Sequence, residues 1–461
     1  AIRLRPTPPP FRNHGNHVTS VAQLGRWLSD QAEEAGVYIL GETAAARLLV
    51  DDGRVVGVRS GDKGRGRNNE ELSNYEPGAD LIAKATVLAE GTQGHLTGAA
   101  IRHFDLGSED PQQWELGVKE VWEVERPLDR VIHTMAWPLR LGPKYREFGG
   151  SFIYPMGADR VSMGLVVGLD YRDASFSVHE ALQQLKAHPL VAKIIDGGKR
   201  VGWGAKTIPS GGYWAQPNRY WVPGMVIAGD GAGMVNIPTL KGVHYAMHAG
   251  MFAAEAIYER LKAGDDGTAD LSNYEAKVRG SEIEKDIRRS RNMRQPFSRG
   301  FIVGGAIANM MEISGGRFPG GRWKTHDDAT VDVFIGDADK HYPKPDGKTT
   351  FDKLSSVFLT GNATRDDAPN HIRIQDKVPL EVALMWQNMC PAAVYEVPEE
   401  EIDAARTDGN TQGDAGGKLD GKHEVKLQIT PSNCVQCGAI TAKGGRLTPP
   451  EGGDGPNYQV T

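Results

Sequence analysis

The sequence predicts a mixed α/β (α+β) chain, and three observations carry that expectation. Met225, Val226, Ile227 and Ala228 form a short apolar run of buried-strand type, closed by a Gly-rich turn and followed by a helical pattern up to Arg260. Ahead of Gly91 the pattern runs helix, strand, hairpin, strand. From Leu116 to Ile208 the texture becomes strand-rich. At 461 residues the chain is long enough for two or three domains with real cores.

Taken in order, Val21, Leu24, Trp27, Leu28 and Ala32 fall on one helical face, with Thr19 or Ser20 as N-cap and Gly36 just past the end. Residues 37–40 read as a strand. Two short apolar runs, 47–50 and 55–58, flank Asp52 and Gly53, a hairpin signal because a type I′ turn needs positive φ at both central residues. Residues 61–78 read as a polar, solvated loop. Residues 85–91 read as a buried strand ending in Gly91, Thr92, Gln93 and Gly94.

In the strand-rich part, 131–138, 151–154 and 161–169 are candidate strands. Trp137, Phe148, Phe152, Tyr154 and Trp203 are expected mostly as core, and Gly149 and Gly150 by themselves read as turn glycines. Asp230 stands at the tip of the central strand, where an acid can accept hydrogen bonds from sugar or ribityl hydroxyls of a nucleotide cofactor; an ordinary strand-to-helix turn is the alternative. In the helix that follows, Val243, Ala246, Met247, Gly250, Ala254, Ile257 and Leu261 recur at helical spacing, with Gly264 as the stop.

A charged connector then leads to an uncharged run, 300–311, about half a bilayer span. It is flanked by Arg291, Arg294 and Arg299 on one side and Arg317, Arg322, Trp323 and Lys324 on the other. Such flanks suit a segment lying in the headgroup region, and a buried Gly-rich helix is the alternative. A new domain is expected from Tyr342, with a polar Gly-rich loop over 403–422.

Composition narrows the function. A net charge of −6 with no recurring basic run argues against nucleic acid as a partner. Mean hydropathy is negative, and no apolar stretch approaches the roughly 20 residues a membrane span needs. Three cysteines make no disulfide framework, which points to a reducing compartment and leaves the thiols for metal or redox duty. Histidines and aspartates are not clustered, and no catalytic side chain is expected. The start at Ala1 reads as mid-domain, as in a fragment.

Cys434 and Cys437 stand at C-x-x-C spacing, which can chelate one metal ion or one edge of a cluster. Half a zinc site, with Cys390 and His423 as the further ligands, a redox dithiol and incidental spacing all remain open on this signal; the nearby glycines argue for loops rather than the helix start of a dithiol.

The run from Val226 to His244, with its Gly-Asp-Gly-Ala-Gly and Asn-x-Pro-x-x-Lys-Gly segments, resembles the second flavin motif of the electron-transfer flavoprotein:ubiquinone oxidoreductases, and the resemblance extends over nearly the whole chain. These enzymes, also called electron-transferring-flavoprotein dehydrogenases, pass electrons from a soluble flavoprotein to membrane quinone. The resemblance implies an FAD-dependent flavoprotein fold with a strand-rich quinone-binding domain and a C-terminal ferredoxin-like iron-sulfur module. It implies FAD contacts at Gly91, Gly229, Asp230, Gly231 and Gly233, with Asn236, Pro238, Lys241 and Gly242 near the flavin ring. Gly149 and Gly150 match the glycine pair beside the quinone headgroup. Cys390, Cys434 and Cys437 match three of four ligands to a 4Fe–4S cluster, and Ile440 occupies the fourth position.

The implied organisation is a partial FAD-binding domain (1–114), a ubiquinone-binding domain (115–210), the returning FAD-binding strand and helix (211–265), a helical membrane-contacting connector (266–340) and the iron-sulfur domain (341–461). The family's opening G-x-G-x-x-G unit is not found before the first helix, and without it FAD is expected to bind weakly or not at all. The implied partners are electron-transfer flavoprotein, ubiquinone or menaquinone, and the membrane surface, reached peripherally from the cytoplasmic face of a bacterial inner membrane or the matrix side of the mitochondrial one. The rival readings are a related flavin-dependent isoprenoid lipid reductase and a non-enzymatic or truncated flavoprotein-like chain.

Overall fold

A computed structural model describes residues 7–12, 14–264, 268–406 and 419–460. Helix α1 (Val21–Glu34) starts where the Ser20 hydroxyl accepts the Gln23 amide, and Gly36 follows it in the left-handed region. Residues 37–40 form no strand: they are exposed and have no sheet to pair with. β1 (Ala45–Asp51) and β2 (Arg54–Ser60) make the expected hairpin, with φ of 44° at Asp52 and 74° at Gly53.

The stretch 61–78 is more than a loop, because β3 (Lys63–Arg65) and β4 (Glu71–Glu76) pair antiparallel across it. Asp62 fastens this hairpin by accepting the Gly78 amide and the Arg65 guanidinium, which together hold its carboxyl below the usual range. β5 (Asp80–Ile82) extends the first sheet alongside β2. β6 (Thr86–Leu88) follows, and only Leu88 is buried; Val87 is 41% exposed, so this is an edge strand rather than a central one. Helix α2 (His95–His103) leaves its tip.

Next come β7 (Trp114–Glu123), β8 (Ile132–Met135), β9 (Gly149–Met156), β10 (Arg160–Gly168), α3 (Val178–Lys186), α4 (Pro189–Ile195) and β11 (Lys199–Pro209). The strands form one antiparallel sheet in the order β11-β7-β10-β9-β8. Side chains alternate across it. Glu120, Ile153, Met163 and Trp203 share the face under α3 and are fully buried. Phe152 and Tyr154 share the opposite, half-buried face with His133, at ring separations of 5.0 and 5.4 Å. Of the aromatics expected as core, therefore, only Trp203 is; Trp137 is exposed, and Phe148, Phe152 and Tyr154 line an open face.

β12 (Trp221–Val222) pairs antiparallel with β13 (Met225–Ile227), which runs parallel to β6. The long helix α5 (Val243–Lys262) buries Tyr245, Ala249, Ala253 and Ala256, while Val243 and Met247 of the expected stripe are exposed. Ala246 of the expected stripe meets the turn: a Cβ on Gly229 would sit 3.2 Å from that of Ala246. α6 (Ser272–Arg279) is pinned to β13 by the Tyr274 hydroxyl, which donates to the Ile227 carbonyl at 2.9 Å. α7 (Glu282–Arg289) and α8 (Phe301–Ile313) complete the connector.

α9 (Lys353–Phe358) and α10 (Leu380–Met389) belong to the C-terminal module, with three two-stranded ladders. This module shares one core with the five-stranded sheet. At the join Glu120, fully buried, pairs with Lys186 at 2.9 Å and Arg200 at 3.4 Å, and Arg200 also donates to the Ser356 hydroxyl. Of the polar stretch 403–422, residues 407–418 lie outside those described.

Candidate cofactor and electron-transfer site

Parallel pairing of β6 with β13 brings two glycine turns together at the strand tips. A Cβ on Gly231 would be 3.6 Å from the carbonyl oxygen of Gly91, within van der Waals contact, so the turn 229–233 packs on the turn 91–94. Gly91, Gly229 and Gly233 all have positive φ, as such turns require. Asp230 follows Gly229, and its carboxylate has no hydrogen-bond partner among the described residues. Burial pushes its pKa up, so a donor such as a hydroxyl would be welcomed.

The segment 236–242 folds back on itself. The Asn236 amide donates to the Lys241 carbonyl at 2.8 Å and the Lys241 amide returns the bond at 3.2 Å, while the Asn236 side chain accepts the Thr239 amide. This closed loop puts Gly242 beside the Asp230 carboxylate, 3.5 Å from where a Cβ would stand. Lys241 lies close enough to His133 of β8 to help lower its pKa, although burial does more. Pro238 lines a narrow crevice with Arg294 of the connector. Asp230, Asn236, Pro238, Lys241 and Gly242 are thus gathered at one end of the sheet.

Gly149 and Gly150 are strand residues, not turn residues. They open β9, paired to Val167 and Val166 of β10. A Cβ on Gly149 would be 2.0 Å from the Val166 carbonyl oxygen, and one on Gly150 would be 2.4 Å from that of Thr134. Phe148, just before them, stacks on Phe297 at 4.5 Å, and Phe297 neighbours Phe301 at 6.1 Å. A row of rings therefore leads from the glycine pair to α8.

Cys390 ends α10, Cys434 follows the turn 431–433, and Cys437 precedes Gly438. Cys390 lies near enough to Cys434 and Cys437 to help raise their pKa values; burial does most, pushing Cys437 up to about 12 and Cys434 well above the usual thiol range. Such thiols ionise only against a compensating cation, which a bound metal supplies. Among the described residues no three His, Cys, Asp or Glu side chains gather tightly enough to chelate one ion. That disfavours zinc, and His423 is out of range: its carbonyl caps the start of α10, a helix of about 15 Å with Cys390 at its far end. A polynuclear cluster takes one thiolate per iron and needs no such convergence, and Cys390, Cys434 and Cys437 are the thiols that would hold it. Ile440 is buried and offers no lone pair for a fourth.

Several residues that motif reading passed over join these parts. Glu90 caps α2 by accepting the amides of Leu96 and Thr97 and the Thr97 hydroxyl, at 3.1, 2.6 and 2.7 Å. Gln93 has positive φ, and neither atom of its buried amide has a hydrogen-bond partner among the described residues; its Oε1 would touch a Cβ on Gly438. Thr207, at the end of β11, bonds the Cys437 carbonyl. A non-glycine residue inside a glycine turn was the available signal for Gln93; Thr207 had none.

The apolar run is helix α8, and the sequence-based expectation for its flanks needs correcting. Arg294 is buried on Asp170, at 2.6 Å, and over the Phe148 ring, so it is not free for phosphates. Arg322 pairs with Glu109 at 2.8 Å. α8 itself buries only Gly304 and Met311, while Ile302 and Ile313 are 86% and 87% exposed. No helix among the described residues is long and apolar enough to cross a membrane.

Two family models match the chain: "ETF-QO, ubiquinone-binding" over residues 114–208, and "Electron transfer flavoprotein-ubiquinone oxidoreductase, 4Fe-4S" over residues 347–415. The second includes Cys390 and ends before Cys434. The mitochondrial electron transfer flavoprotein-ubiquinone oxidoreductase of Caenorhabditis elegans is 35% identical over 98% of this chain and 75% of its own length. The enzyme of that name from Pseudomonas aeruginosa is 36% identical over 98% of this chain and 81% of its own length. The human mitochondrial enzyme is 34% identical over 97% of this chain and 73% of its own. With glycine turns, strand-rich sheet and cysteine module in one connected fold, the chain belongs to the electron transfer flavoprotein-ubiquinone oxidoreductase family.

Proposed function

We infer that this chain is an oxidoreductase carrying electrons from reduced electron-transfer flavoprotein to ubiquinone or menaquinone. The observation that carries the reading is the meeting of the Cys437 loop with the turn 91–94 across Thr207, which joins the cysteine module to the glycine turns. When bound, FAD and the iron-sulfur cluster supply the redox chemistry. The chain's own residues bind, space and shield them.

In this reading Asp230 accepts a cofactor hydroxyl, Gly91, Gly229, Gly231 and Gly233 let backbone approach the cofactor, and the loop of Asn236, Pro238, Lys241 and Gly242 lies along its ring. Gly149 and Gly150 present bare backbone to a quinone headgroup, and the rings of Phe148, Phe297 and Phe301 make an apolar path to it. Cys390, Cys434 and Cys437 hold the cluster. The domains follow the boundaries set out above, with 115–210 for quinone, 341–461 for the cluster, and 1–114 with 211–265 for FAD.

The exposed apolar face of α8 supports peripheral attachment to one leaflet, on the cytoplasmic face of a bacterial membrane or the matrix side of a mitochondrial one. The negative net charge supports no role for nucleic acid. The test is anaerobic: the chain, loaded with FAD and iron, is mixed with reduced electron-transfer flavoprotein and a short-chain quinone. Quinone reduction is expected in the parent, with the quinone KM raised several-fold in Gly150→Ala. A loaded parent that takes no electrons from the flavoprotein would sink the reading.

A further inference from the structure

Beside α8 lies an open cleft of about 950 Å³ between the Tyr213 and Trp214 loop, α7 and the turn that ends α8 at Gly315 and Gly316. Six cations line it against two carboxylates, Glu282 and Glu284. Three of the cations have acidic partners: Arg279 pairs with Glu275 and Glu284, Lys285 with Glu282, and Arg289 with Glu312 of α8. Arg291 is held by the carbonyls of Arg288 and Gly316, which position its guanidinium without neutralising it. The guanidiniums of Arg288 and Arg317 have no hydrogen-bond or ion-pair partner among the described residues. Three positive charges thus face the cleft without a carboxylate of their own.

The cleft adjoins the apolar face. Arg317 follows α8 by one turn, Phe318 next to it is 46% exposed, and the Arg289–Glu312 pair at 2.9 Å ties α8 to a residue that lines the cleft. A surface that offers exposed Ile302 and Ile313 beside unpaired guanidiniums matches the boundary of a leaflet, where acyl chains meet phosphate. Guanidiniums bind phosphate oxygens through paired donors, so the chemistry selects a phosphate-bearing anion.

We propose that the cleft formed by Arg288, Arg291 and Arg317 is a binding site for the headgroup of an anionic phospholipid, which holds α8 in register on the membrane. This rests on the peripheral-membrane reading above and adds lipid selectivity to it. Apolar insertion alone would favour all bilayers equally, whereas the cleft makes anionic ones preferred.

The experiment is flotation of the full chain with vesicles of phosphatidylcholine alone and with about 30 mol % phosphatidylglycerol at physiological salt. Arg288→Ala/Arg317→Ala should lose roughly 10- to 30-fold of the affinity for phosphatidylglycerol vesicles and little for phosphatidylcholine ones. Lys193→Ala/Lys199→Ala, which removes equal charge from an exposed remote surface, should bind as the parent does. Ile302→Asp should weaken binding to both vesicles, which tests the membrane reading separately. An arginine pair variant that keeps full preference for phosphatidylglycerol, or an equal loss in the lysine variant, overturns the headgroup site while leaving the membrane reading in place. A parent that floats with neither vesicle overturns both. Inorganic phosphate at millimolar concentration should not displace the parent; displacement would reassign the cleft to a free anion.

Discussion

Thr207 donates both its backbone amide, at 2.8 Å, and its hydroxyl, at 2.9 Å, to the carbonyl oxygen of Cys437. The same hydroxyl stands 3.4 Å from that of Thr92 in the turn that meets the Asp230 turn. One side chain thus ties the last strand of the sheet to the C-x-x-C loop and to the cofactor end of the fold. Thr207→Val keeps the amide bond and loses the hydroxyl, at a cost of about 1 kcal/mol. A lower melting temperature and faster reaction of Cys437 with a thiol reagent are expected, with Thr207→Ser near the parent; a valine variant equal to the parent in both would show that the amide alone holds the loop.

Asp230 has a carboxylate raised in pKa by burial and without a hydrogen-bond partner among the described residues. A hydrogen bond from a ligand hydroxyl to a charged acceptor is worth about 1.5–3 kcal/mol, so Asp230→Ala should weaken FAD binding by roughly 10- to 100-fold. Asp230→Asn, which keeps an acceptor oxygen, should fall between. Quenching of flavin fluorescence on titration measures both. Equal affinities in parent and alanine variant would remove Asp230 from the site.

Much of this arrangement was legible in the sequence, because local chemistry decides it. Asp52 and Gly53 specified their turn, Ser20 its cap, and the glycines at 229–233 the bend after a buried strand. What failed were inferences that depend on a distant partner. Residues 37–40 have strand composition and no neighbour to pair with, while the polar stretch 61–78 found pairing within itself. The stripe on α5 was misplaced because the buried positions are mostly alanines, Ala249, Ala253 and Ala256, which a hydropathy pattern underweights beside Val243 and Met247. Gly149 and Gly150 looked like turn glycines because sequence does not reveal that neighbouring strands leave no space for a Cβ. Arg294 looked solvated for the same kind of reason: Asp170, far away in the chain, is what buries it.

His179 gives a pH dependence. Its Nε2 donates to the Phe351 carbonyl at 3.0 Å, and its buried Nδ1 has no partner among the described residues, so charging the ring would place a proton there with no acceptor among them. Burial first, and then the nearby Lys353, lower its pKa from 6.5 to about 4, against the opposing pull of the Phe351 carbonyl. A folded-state pKa below the unfolded one means that the stabilisation is complete above about 6.5 and is lost as pH falls towards 4. Near pH 5 the loss from this residue is about 2 kcal/mol. His371, also lowered to about 4 by burial, acts in the same direction. The melting temperature should drop between about pH 7.5 and pH 5, and His179→Gln should remove roughly half of the drop. A variant with the parent's full pH dependence would place the titrating group elsewhere.

The resemblance implies a fourth cluster ligand at position 440, where this chain has isoleucine, and the packing there indicates the consequence. Ile440 is buried, and its Cγ1 would be 2.6 Å from a Cβ on Gly445, which would in turn touch Ile374 at 2.9 Å. The side chain is therefore committed to the apolar layer around Ile374, on the ladder that joins Ile372–Arg373 to Arg446–Leu447. Cys390, Cys434 and Cys437 can supply thiolates to three irons, and nothing at position 440 supplies a fourth. Anaerobic reconstitution should give an iron count nearer three than four per chain, with the EPR signature of a three-iron cluster or of a four-iron cluster with one exchangeable corner. Ile440→Cys should leave the count unchanged, because the new sulfur would follow the isoleucine into the apolar layer, and should cost about 1 kcal/mol of stability through the volume lost there. A rise to four irons in that variant would show that position 440 still reaches the cluster and that only the ligand atom is missing. No iron in the parent would show that the module keeps its fold without its metal.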